Sequence, residues 1–86
     1  MHPIVYTAIY NNMATINQLA ICNSIAILTK PEDLLKTGVL DIKLLYPNSN
    51  VNGLQLGIRN LGFSTTDWVS LGNHHYRIQI TGYLGG

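Results

Sequence analysis

No charged side chain occurs before Lys30, so the first third of this 86-residue chain has to fold and meet its surroundings without one. The whole chain holds five basic and four acidic residues, 10% of its length, against about 25% in an ordinary globular domain. Polar duty falls instead on Asn, Ser, Thr and Gln, with nine Asn alone. Hydrophobic residues, at 47%, exclude disorder by composition. Solubility of a free monomer rests on interspersed surface charge and a net charge away from zero, and the formal net here is +1. Depletion of charge is also what the core of an interface shows. The expectation is a subunit whose surface is largely covered by copies of itself or by another protein.

Length and charge remove several alternatives. Residues 1–86 suffice for a single domain, and a chain this short buries only about 60–65% of its unfolded surface, so burial by a partner helps it. The basic residues run from Lys30 to Arg77 without a cluster, which argues against counterion-displacing contact with nucleic acid. No Lys or Arg precedes the apolar start, as a signal peptide requires. Asn11, Asn12, Asn17, Gln18, Asn23 and Ser24 interrupt any membrane-spanning run. The expected location is therefore cytoplasmic, or within a particle assembled inside a cell. The lone Cys22 has small and apolar neighbours and no cation beside it, which predicts a buried structural thiol.

Hydrophobic spacing predicts mainly β structure: a small β-sandwich or open barrel of about five to seven short strands. Leu19, Ile21, Asn23, Ile25 and Ile27, large and apolar except for Asn23, alternate with the small Ala20, Cys22, Ser24 and Ala26, the period-two signature of strands. Asn11-Asn12 and Asn23-Ser24 supply turns. The alternative is an α+β fold with a helix near 13–28 packed on an antiparallel sheet. One short helix is expected near 31–37, with Pro31 in its first turn, Glu32 and Asp33 at the positive end of the dipole, and Gly38 closing it. Leu40, Ile42, Leu44 and Tyr46 share one strand face. Residues 47–53 make a loop, and Leu54, Leu56 and Ile58 alternate in the next strand. Residues 68–71 and 76–80 flank Gly72-Asn73 as a hairpin, with Tyr76, Ile78 and Ile80 inward and His75, Arg77 and Gln79 outward.

No catalytic constellation emerges. Glu32 and Asp33 are adjacent and diverge on a helix, and a Ser70, His74 and Asp67 triad is a coincidence of composition. His74 and His75, neighbours on a strand, point to opposite faces and cannot both hold one ion there. No metal and no cofactor are expected. Aromatic residues and Arg dominate interface hot spots, which singles out Trp68, His75, Tyr76, Arg77 and Tyr83 as protein-binding residues near the C-terminal hairpin.

The Gly85-Gly86 pair following a final strand resembles the tails of ubiquitin-like modifiers and sulfur carriers. That resemblance implies a carrier activated at its terminal carboxylate, with a long helix after its first hairpin. The leading expectation is different: a non-enzymatic structural or assembly subunit, homo-oligomeric and plausibly viral or phage-derived, acting through protein–protein contacts. A monomeric binder or inhibitor of a host protein is the second.

Overall fold

The computed structural model describes residues 2–85. It begins with a long helix, α1 (Pro3–Cys22), where strands are predicted. Pro3 occupies the first turn, where its missing N–H costs nothing. The His2 ring nitrogen accepts the Ile4 N–H at 3.2 Å and caps the start. Val5, Ala8, Ile9, Ile16 and Ala20 are buried, with Met13 and Leu19 packed beside them. Three- and four-residue steps link these positions into one stripe. Ile4, Tyr10 and Ile21 stay exposed on the other side, and their hydrophobicity hides the stripe from a periodicity count. Asn11-Asn12 lies inside α1 rather than at a turn. Asn23-Ser24 does turn the chain, with Ser24 at φ 58°.

After this turn come β1 (Ile25–Ile27), α2 (Pro31–Thr37), β2 (Val39–Leu44), α3 (Val51–Asn60), β3 (Phe63–Thr65), β4 (Val69–Gly72) and β5 (His75–Tyr83). The fold is thus α+β, not a sandwich or barrel, and the helix lies ten residues earlier in its start than the predicted alternative. The short helix α2 matches its expected bounds, and Gly38 ends it at φ 70° with its N–H on the Leu34 carbonyl. The strand expected at Leu54–Ile58 is α3. Asn50 caps it by accepting the Gly53 N–H at 3.0 Å, and Leu54 and Ile58 are buried while Leu56 is exposed. A helical step of four, not an alternation of two, places those residues inward.

The five strands form one antiparallel sheet with β5 at its centre. On one side β5 pairs with β2, which pairs in turn with β1. On the other side β4 lies against the first part of β5 and β3 against the last. Between them Thr66 continues the ladder: its N–H donates to the Gln79 carbonyl and its Oγ1 accepts the Gln79 N–H, both at 2.9 Å. Residues 63–72 and 75–83 therefore form one long, interrupted hairpin. Leu40 and Ile42 on β2 and Ile78 and Ile80 on β5 are buried in one core with α1, α3, Leu34 and Phe63. The helices cover a single face of the sheet. The inward and outward residues of β2 and β5 follow the predicted alternation.

The hairpin turn is Asn73-His74, at φ 52° and 65°. Positive φ at both central residues marks a type I′ turn, whose second position favours Gly. His74→Gly removes a left-handed cost of about 1–2 kcal/mol and adds back about 0.5–1 kcal/mol of backbone entropy. The expected outcome is a small gain in stability, read as a rise in thermal midpoint of a few degrees. A fall would mean that the His74 side chain, which lies beside Leu44, Leu45, Tyr46 and Pro47, contributes more than the turn loses.

Candidate interaction surface

The uncovered face of the sheet holds a trough of about 760 Å³. Its floor is β2 and β5, because Asp41 and Arg77 are directly opposed in the register and both project away from the helices. Arg77 Nε donates to Asp41 Oδ1 at 2.6 Å and Nη2 to Oδ2 at 2.9 Å. This two-bond fork suits a planar guanidinium facing a carboxylate. Thr29 Oγ1 accepts the Asp41 N–H at 2.7 Å and fixes the strand end of β1 alongside. The walls are Leu28, Val39 and Leu71, with Lys30 and Asp33 from the α2 side and His75 from the hairpin. Val69, paired with Arg77 across β4 and β5, extends the same face. Leu28, Val69 and Leu71 are all about half exposed, at 49%, 56% and 47%.

The hydrogen bonds from Arg77 hold the Asp41 carboxyl below the usual carboxylate range; partial burial opposes this, and the charges of Arg77 and His75 reinforce it. The same bonds push the guanidinium above its ordinary value. A carboxyl whose folded pKa is depressed stabilises the fold fully above its unfolded value of about 3.9, and that contribution is lost as pH falls through the folded value. Asp41→Asn is therefore expected to lower the thermal midpoint at pH 7, with the difference from the wild type closing below about pH 4. A difference that stays constant down to pH 2 would show that the pair acts without its charge.

The five predicted contact residues do not form one patch. His75 and Arg77 line the trough. Tyr76 points to the helical side, where it meets Trp68 edge-to-face at 6.5 Å and 87°. Both are partly buried against the core, and the Trp68 Nε1 is buried without a hydrogen-bond partner among the described residues. Tyr83 lies at the far end of β5, tilted on Phe63 at 4.9 Å. Alternation along β5 separates Tyr76 from its neighbours His75 and Arg77. Asp41, Leu28, Val39, Val69 and Leu71 complete the surface and were not singled out from sequence. The phase of β2 already puts Asp41 outward, but only the pairing register sets it against Arg77.

Comparison with known proteins adds no relative. No family model, curated protein or solved structure matches this chain. What the surface can do therefore rests on its own chemistry. The His74 and His75 rings part company, His74 towards Leu45 and Pro47 and His75 into the trough. Ser70 Oγ accepts the Gly72 N–H at 3.4 Å and has no bond to a histidine. Among the described residues no three His, Cys, Asp or Glu side chains group as a metal site, and no helix is long and apolar enough to cross a membrane. Cys22 is exposed, correcting its predicted burial, because it falls on the outer side of the last turn of α1. In the carrier comparison, the long helix precedes every strand instead of following a first hairpin. Leu84 is 93% exposed beyond β5, and Gly86 lies outside the described residues.

Proposed function

We propose that this chain is a non-catalytic assembly subunit that works through protein–protein contacts. One observation carries the reading: six of the ten exposed large apolar side chains among the described residues stand on two separate faces. Leu28, Val69 and Leu71 rim the open sheet face, while Ile4, Tyr10 and Ile21 stand on the outer side of α1, which has no charge at all. Single exposed apolar residues are ordinary, but grouped ones mark contact sites. Two such faces on opposite layers suit a subunit with two sets of neighbours better than a binder with one. The ionic groups on the open face are consistent with contact rather than catalysis. Asp41 and Arg77 satisfy one another, and a neutral ion pair within an apolar rim gives a partner orientation without a net charge.

Static light scattering across about 5–200 μM tests this. The mass is expected to exceed the 9.5 kDa of one chain and to rise with concentration. A constant single-chain mass, with no protein co-purifying in stoichiometric amount, would overturn the reading.

A further inference from the structure

We draw no further inference here: the strongest candidate, the trough on the open face of the sheet over the Asp41–Arg77 pair, carries nothing because its two acidic and two basic side chains balance and select no ligand, and nothing in the structure shows what covers its apolar rim.

Discussion

Ile78→Ala is expected to destabilise the fold by about 2–5 kcal/mol. Ile78 is fully buried at the middle of β5, the strand on which β2, β3 and β4 all depend. It sits opposite Leu40 in the register, and the helical layer closes over both. Truncation removes the transfer free energy of three carbons and leaves a void that a close-packed interior only partly fills. Total stability for a chain of this length is roughly 4–13 kcal/mol, so the loss is a large share of it. With a urea slope of about 1 kcal/mol per M, the unfolding midpoint should fall by about 2 M or more. Gln79→Ala, one residue on and facing the open side, should change stability by no more than about 0.5 kcal/mol. Equal effects from the two variants would show that the helices do not cover the face of the sheet described above.

Gly53→Ala is the second large effect, and its sign is the test. Helix propensity alone favours Ala over Gly by about 1 kcal/mol. At this site the added Cβ would run into the Asn23 carboxamide and lie 3.1 Å from Asn50 Nδ2. Asn23 cannot easily move, since its Nδ2 donates to the Leu19 carbonyl at 2.8 Å and its own carbonyl accepts the Asn50 N–H at 3.2 Å. The end of α1 and the start of α3 therefore share one junction with Gly53 in it. Overpacking this junction is expected to cost about 1–3 kcal/mol, a net destabilisation. Gly57 provides the contrast: there the atoms nearest the new Cβ all belong to the Leu19 side chain, its methyl carbons at 2.7 and 2.8 Å and its Cγ at 3.3 Å, with no backbone atom or hydrogen-bonded group among them. A stabilised Gly53→Ala protein would show that the junction is loose.

The elements that were legible in sequence share a local cause. Pro31, Glu32, Asp33 and Gly38 define α2 by capping and dipole chemistry within ten residues. The alternation of β2 and β5 is carried by residues whose two faces differ in polarity, so the outward positions of Asp41, His75 and Arg77 could be read directly. In α1 and α3 that contrast is missing. Leu56 is as apolar as Leu54 yet exposed, and Ile21 is as apolar as Ile16 yet exposed, so spacing by two and spacing by four fit equally well. The capping residues His2, Pro3 and Asn50 held the decisive local signal for both helices. The contact residues were half legible for the same reason: aromatic type pointed to Trp68 and Tyr76, but their side of the sheet turned them towards the core.

Charge scarcity, the absence of any charge before Lys30 and the outward phase of β2 and β5 belong to the sequence alone. They are properties of composition and of neighbours along the chain. Tertiary structure decided that the uncharged first third is a helix with one face in the core and one outside. It also decided that Asp41 meets Arg77 36 residues away, and that only one face of the sheet is covered. Each of these depends on pairings between distant segments, whose register is set by how the apolar surfaces fill a common core, and no local pattern encodes that.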